Sequence, residues 1–286
     1  MPLRTCITSY SFNRSLRSGK MDVEAFLDFC GKAGFEGVDL LSYYWKDKDA
    51  EMSKVPEWTQ RNGLKLVGYG TRSDFLSHDE AVVEESFENV RTAIKDANRL
   101  GARTCRIFGG SSLDGWTTGS ALLQVAECIG QLVGLAAEND VVLTVENHGG
   151  FPATAEEVIA CIEKVNSPYF ASLLDTANFL GAGVDPLEEA KKVAPHVRHV
   201  HVKDMRKFPP GSEQGRKARR ADYHTQSCIV GEGVVPNAEI FKVLAAAGYD
   251  GYVSLEAEGA PSEDDEPKWV LAGLENIRAC IEEVGG

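Results

Sequence analysis

The chain of 286 residues has little of what several large functional classes require. Basic charge is scarce: 30 Lys and Arg stand against 43 Asp and Glu, a formal charge of −13. An acidic body repels the phosphates that a nucleic-acid binder must neutralise, so no nucleic-acid partner is expected. No run reaches the roughly 18 uninterrupted apolar residues of a membrane span. Met1 leads straight into the strand-like run Arg4-Thr5-Cys6-Ile7-Thr8-Ser9-Tyr10 without a signal-type apolar region, so a cytoplasmic protein with no membrane partner is expected. The seven cysteines (6, 30, 105, 128, 161, 228 and 280) are odd in number and form no CxxC pair. That excludes a disulfide framework and a zinc ribbon and leaves them as small buried apolar residues. Also missing are GxxxxGK[ST], HExxH, GxSxG and GxGxxG, which removes support for nucleotide hydrolysis, a zincin, an α/β-hydrolase and a Rossmann dehydrogenase.

What is present is an alternation. Short runs rich in Val, Ile, Leu and aromatics, at 4–10, 36–41, 65–70, 103–108, 141–146, 171–175, 197–202 and 250–256, read as strands. Between and after them, segments at 21–33, 51–62, 79–100, 118–139, 154–165, 186–194, 237–247 and 266–283 carry apolar residues three and four apart, as amphipathic helices do. In 79–100, Val83, Phe87, Val90, Ile94 and Ala97 share one face. Gly34, Gly63, Gly101 and Gly248 follow helical segments, and Pro186 and Pro236 stand where helices begin. Eight strand–helix units in a chain of this length predict a single-domain α/β protein over 1–286, a (β/α)8 TIM barrel whose active site lies on the loops after the strand C-termini. A doubly wound open sheet would bring a glycine-rich turn after its first strand, and Ser9-Tyr10-Ser11-Phe12 is not one.

The seventh strand is followed by an insertion at about 206–230 that carries Arg206, Lys207, Arg216, Lys217, Arg219 and Arg220. It reads as a solvated loop, or else as a lid whose cations meet an anionic substrate or a neighbouring subunit.

Ionisable residues close four successive apolar runs: Glu146, Asp175, His201 and Glu256. Three carboxylates buried together cost several kcal/mol per ion unless a cation compensates them, so a shared divalent metal is the natural account. Three oxygens and one imidazole suit Mn²⁺, Mg²⁺, Co²⁺ or Fe²⁺, and also Zn²⁺; one such ion is expected, with Mn²⁺ favoured. Four protein ligands on an ion that prefers six leave two positions for water or substrate oxygens.

These segments give the chain its resemblance to the xylose-isomerase-like barrels, the sugar phosphate isomerase/epimerase superfamily. The pieces that carry it are Glu146-Asn147-His148, Leu174-Asp175-Thr176, the 199–204 run His-Val-His-Val-Lys-Asp, Gly231-Glu232-Gly233 and Ser254-Leu255-Glu256. The resemblance implies that Glu146, Asp175, His201 and Glu256 are the metal ligands and that Glu146 and Glu256 double as acid/base groups. Where many such barrels carry a histidine three residues after the aspartate, this chain has Asn178. Where the endonucleases of the superfamily have histidines on strands three and four, it has Tyr69-Gly70 and Phe108-Gly109, which argues against a multinuclear DNA-cleaving site.

The expected activity is an isomerase or epimerase of a keto sugar or related polyol, which removes a proton beside a carbonyl through a metal-stabilised enediolate. The alternative is a dehydratase of a keto-inositol or similar cyclic polyol, which shares the first step and then expels a β-hydroxyl. A third reading is a non-catalytic sugar-binding barrel. The first two differ in whether a proton donor stands near the leaving oxygen, and His148, Lys203 and His224 are the candidates, although Lys203 also reads as a partner for Asp204. Substrate contacts are assigned to His148, Asn178, Lys203, Trp45, Phe108, Trp116 and His224. The partner is a small sugar or polyol. A homo-oligomer, common among such barrels, stays open.

Overall fold

The computed structural model describes residues 3–285. Eight parallel strands close into a barrel: β1 (Arg4–Thr8), β2 (Gly37–Leu41), β3 (Lys65–Gly70), β4 (Thr104–Ile107), β5 (Val142–Glu146), β6 (Phe170–Asp175), β7 (Val197–Val202) and β11 (Tyr252–Leu255). Their order, β1-β11-β7-β6-β5-β4-β3-β2, is the closed (β/α)8 topology expected from the alternation. Apolar residues that face outward from the strands, such as Ile7, Val38, Leu143 and Val200, are fully shielded by the surrounding helices. Those helices present complementary stripes; α4 (Glu80–Leu100) buries Phe87, Val90, Ile94 and Ala97 together. Its N-cap is Asp79, and Gly101 closes it at φ 76°, a left-handed conformation that costs glycine nothing sterically.

The elements depart from expectation in several places. The segment 118–139 is two helices, α5 (Thr118–Gly130) and α6 (Val133–Glu138), broken at Gln131-Leu132. Glycines at 130 and 134 weaken a continuous helix there. The first strand ends at Thr8, and a 3₁₀ turn (Ser9–Phe12) and α1 (Asn13–Ser18) follow it. A short helix, α8 (Asn178–Ala182), follows β6 directly. The insertion is not a plain solvated loop. It is a three-stranded antiparallel flap in which β10 (His224–Cys228) pairs with both β8 (Asp204–Phe208) and β9 (Arg216–Lys217).

Most of the flap's cations are engaged within the fold. Arg220 bonds the carbonyl of Gly150 and reaches Glu157 Oε1 at 2.6 Å, Arg219 bonds the carbonyl of Ser111, and Arg206 pairs with Glu232 at 2.7 Å. Lys207 lies 3.8 Å from the centre of the Tyr223 ring, and the Tyr223 hydroxyl donates to the Leu180 carbonyl. The flap therefore straps the loops after β4, β5 and β6.

Candidate metal centre

Parallel register aligns the ends of the last four barrel strands. Asp175 pairs with His201 across β6–β7, and Ser254 pairs with His201 across β7–β11, which sets Glu256 beside Lys203. Side chains alternate between barrel interior and helix layer along each strand, so His199, His201 and Lys203 all turn inward. Two short side chains lock the strand ends together. Asn147 accepts from the Asp175 backbone N–H at 2.8 Å and donates to the Asp175 carbonyl at 3.0 Å, while Thr176 Oγ1 exchanges hydrogen bonds with both backbone groups of Lys203.

The outcome is a buried cluster in which one ligand atom from each of Glu146, Asp175, His201 and Glu256 lies within 4.8 Å of the others. All four side chains are shielded from solvent, Glu256 being the most accessible at 7%. Their counter-charges are close. Lys203 Nζ lies 3.1 Å from Glu256 Oε1 and 3.2 Å from Asp175 Oδ2, and Arg106 Nε lies 3.6 Å from Glu146 Oε2. Asn178 donates to Glu146 Oε1 at 3.0 Å, so the residue that replaces the superfamily's histidine contacts a member of the cluster. Asp175 Oδ1 is held by the backbone N–H groups of Ala177 and Asn178, both at 2.9 Å, which leaves Oδ2 aimed into the cluster.

Of the four candidate ligand side chains, Asp175 Oδ2 and His201 Nδ1 are buried without a well-directed hydrogen bond, although Lys203 Nζ stands 3.2 Å from the former. His201 Nδ1 is 2.8 Å from Glu256 Oε2 but off its hydrogen-bonding direction. Orphaned polar atoms beside three carboxylates are what a divalent ion would satisfy, and the mixed oxygen and nitrogen donors fit one of the harder cations.

Burial and mutual charge set the protonation states. Burial alone would push His201 down, but Asp39, Glu256 and Glu146 around it push it up to about 10. Burial pushes Asp175 up to about 6 against the pull of Lys203. Glu256 is also buried, yet Lys203 and His201 hold it well below the usual carboxylate range. Lys203 loses solvation but sits among Asp175, Glu256 and Glu258, which keep it an ammonium. His148, pushed down to about 4 by burial and by Lys203, is neutral at physiological pH.

The other expected substrate contacts divide. His148 packs on Phe108 with ring centres 4.5 Å apart, and the Arg106 guanidinium lies 4.2 Å from the Phe108 ring centre, so both flank the cluster. Trp45 is turned away; its indole N–H donates to the Tyr69 hydroxyl at 3.0 Å, and that hydroxyl faces Asp96 on α4. Trp116 stacks on His78 and donates to the Leu76 carbonyl, bracing the loops after β3 and β4. His224 lies on the flap strand β10. Lys203 does not pair with Asp204, whose carboxylate instead accepts from the N–H groups of Gly231, Gly233 and Val235. A Cβ at Gly233 would collide with that carboxylate, while Gly231 sits at φ 95° with Asn276 2.8 Å from where its Cβ would be, so each glycine of the Gly-Glu-Gly turn has its own cause.

Sequence reasoning passed over Asp39 and His199. Both are buried inside the barrel, with Asp39 Oδ2 2.7 Å from His199 Nε2. The signal available was alternation: His199 is in step with His201 and Lys203, and Asp39 is the lone charge in the apolar run Val38–Leu41.

The fold and the cluster together define a (β/α)8 barrel with a buried carboxylate–imidazole centre at the C-terminal ends of its strands. A family model described as xylose isomerase-like TIM barrel matches residues 27–280, and the chain belongs to that family. Among curated relatives, an inosose dehydratase from Clostridium perfringens (strain 13 / Type A) is 30% identical over 260 residues, which is 86% of each chain. One from Clostridium botulinum (strain Eklund 17B / Type B) is 28% identical over 260 residues, 86% of this chain and 85% of its own. Among solved structures, the IOLI protein with a binding zinc atom superposes with a TM-score of 0.79 at 16% identity over 99% of both chains. At that identity it supports the fold alone.

These relatives correct the expectation of an isomerase or epimerase, because the curated proteins matched along most of their length are dehydratases. The physical reason for the misreading is that both reactions begin with loss of a proton beside a carbonyl. What separates them is a donor at the leaving oxygen; of the three candidates the sequence offered, Lys203 is the one the barrel register sets against Asp175 and Glu256.

Proposed function

We propose that the chain is a metal-dependent dehydratase, a carbon–oxygen lyase of a keto-inositol or similar cyclic polyol ketone. The observation that carries this reading is the Lys203 ammonium between Glu256 and Asp175, at 3.1 and 3.2 Å, inside a cluster suited to a divalent cation. The similarity to inosose dehydratases over 86% of the chain supports the same choice.

Glu146, Asp175, His201 and Glu256 would hold the ion, for which Mn²⁺ is the proposal. When bound, the ion would polarise the substrate carbonyl and make the adjacent C–H acidic. Glu146, oriented by Asn178 and adjoining Arg106, takes that proton. The electron pair released from the C–H bond forms the new carbon–carbon double bond as the β carbon–oxygen bond breaks. Lys203 gives a proton to the departing hydroxyl, which leaves as water, Glu256 steadies the ammonium, and return of the proton held by Glu146 to the Lys203 amine resets both groups. Net loss is one water, and the enol product tautomerises to a diketone. His148 and Phe108 form the apolar side of the mouth, and a neutral His148 adds no competing charge.

The test is incubation of a keto-inositol with enzyme and Mn²⁺ in D₂O, followed by mass spectrometry and NMR. A product lighter by one water supports the reading. An epimeric ketone of unchanged composition, or no conversion of any cyclic polyol ketone, refutes it.

A further inference from the structure

Two buried ionisable side chains have no part in that reaction. Asp39 on β2 and His199 on β7 are 3% and 2% exposed and lie one layer deeper in the barrel than the four-residue cluster. Asp39 Oδ2 accepts from His199 at 2.7 Å and lies 3.7 Å from His201 Nε2, with Cys6 Sγ at 3.6 Å from Oδ1. Room for this carboxylate comes from the neighbouring strand, where a Cβ at Gly68 would stand 2.8 Å from Asp39 Oδ1.

A desolvated carboxylate between two imidazoles is costly unless its charge is used. Which imidazole nitrogen keeps the proton is decided by the partner of the other nitrogen. His201 presents Nε2 to Asp39 and Nδ1 to Glu256 and Glu146, at 2.8 and 3.8 Å. We infer that Asp39, anchored by His199, is a positioning residue for the metal centre: its charge, 3.7 Å from His201 Nε2, favours the imidazole proton on that nitrogen and so leaves the Nδ1 lone pair for the ion. The inference rests on the metal reading above.

The same three residues, Asp39, His199 and His201, also bring ligand atoms within 4.8 Å of one another and so offer themselves as a second cation site. Two features oppose that use. Asp39 is already bonded to His199, and the void they line, ≈ 10 Å³ and room for about one water, is shared with the Arg106 guanidinium.

The experiment is a Mn²⁺ titration of the full chain, following the EPR signal of the free aqua ion, for the wild type, Asp39→Asn and His199→Gln. One ion per wild-type chain is expected, with binding about 10–100-fold weaker in Asp39→Asn and a smaller loss in His199→Gln. Long-range ¹H–¹⁵N spectra of the wild-type protein loaded with diamagnetic Zn²⁺ give a readout that does not depend on any variant folding, and His201 should carry its proton on Nε2. Unchanged Mn²⁺ affinity in Asp39→Asn, a proton on Nδ1 in the loaded wild type, or two ions per wild-type chain would each overturn the inference. A wild-type chain that binds no divalent ion overturns the metal centre itself, an outcome distinct from the other three because it appears in the unmodified protein.

Discussion

The two sides of the barrel contribute unlike things to its mouth. Strands β5, β6, β7 and β11 bring Glu146, Asp175, His201 with Lys203, and Glu256 to one point, while β2, β3 and β4 bring Asp39, Gly68, Gly70 and Arg106. The first side concentrates charge that cannot stand alone in a buried site. The second supplies counter-charge and space: Arg106 adjoins Glu146, Asp39 adjoins His201, and the two glycines leave volume that side chains would fill. Chemistry is therefore concentrated on one side and its support on the other, and substitutions on the two sides should fail differently.

The sharpest contrast comes from the acidic side. Glu146→Gln keeps the shape and removes the base, so turnover should fall about 10²–10⁴-fold with thermal melting of the metal-free protein nearly unchanged. Activity near the wild-type level would assign proton removal to another group. Lys203→Met should lower dehydration by a similar factor while solvent deuterium still enters the substrate beside its carbonyl. It should also destabilise the metal-free fold by roughly 3–5 kcal/mol, because Asp175 and Glu256 lose a buried partner. Denaturant melts and exchange spectra of the same sample separate the two effects, and loss of exchange together with dehydration would mean that Lys203 acts before the leaving step.

On the supporting side the effects are expected to be smaller. A Cβ at Gly70 would lie 2.6 Å from Leu41 Cδ2 and 3.1 Å from Arg106 Nε. Gly70→Ala should therefore cost roughly 1–3 kcal/mol in denaturant melts and lower kcat modestly through a displaced Arg106. A variant as stable and active as the wild type would show that the space is not needed. The smallest effect belongs to the flap. Arg220→Met releases its bonds to Glu157 and Gly150, and proteolysis within 209–222 should quicken about tenfold, equivalent to about 1.4 kcal/mol, with KM raised and kcat preserved. Unchanged cleavage would mean that other contacts hold the flap.

The same division governs what could be read before the structure. All eight barrel strands were legible because alternation with amphipathic helices is a local, periodic signal, and Glu146, Asp175, His201 and Glu256 stood out as ionisable residues ending apolar runs. The supporting side was nearly silent. Asp39 lies within an apolar strand, and Gly68 and Gly70 acquire meaning only when β2 and β4 are placed beside β3. The flap was legible only as an insertion, because its strands are short and polar; His224-Thr225-Gln226-Ser227 has no apolar alternation to mark a strand. Trp45 and Trp116 illustrate the converse, since aromatic type and loop position do not reveal that Tyr69 and Leu76 already take up their indole N–H groups.

The most direct test of the central claim is a crystal structure of the protein grown with Mn²⁺, with data collected at the manganese absorption edge. The account predicts one anomalous peak per chain, about 2.0–2.4 Å from oxygens of Glu146, Asp175 and Glu256 and from Nδ1 of His201. No peak among those four side chains, or a peak that any one of them does not touch, would contradict it.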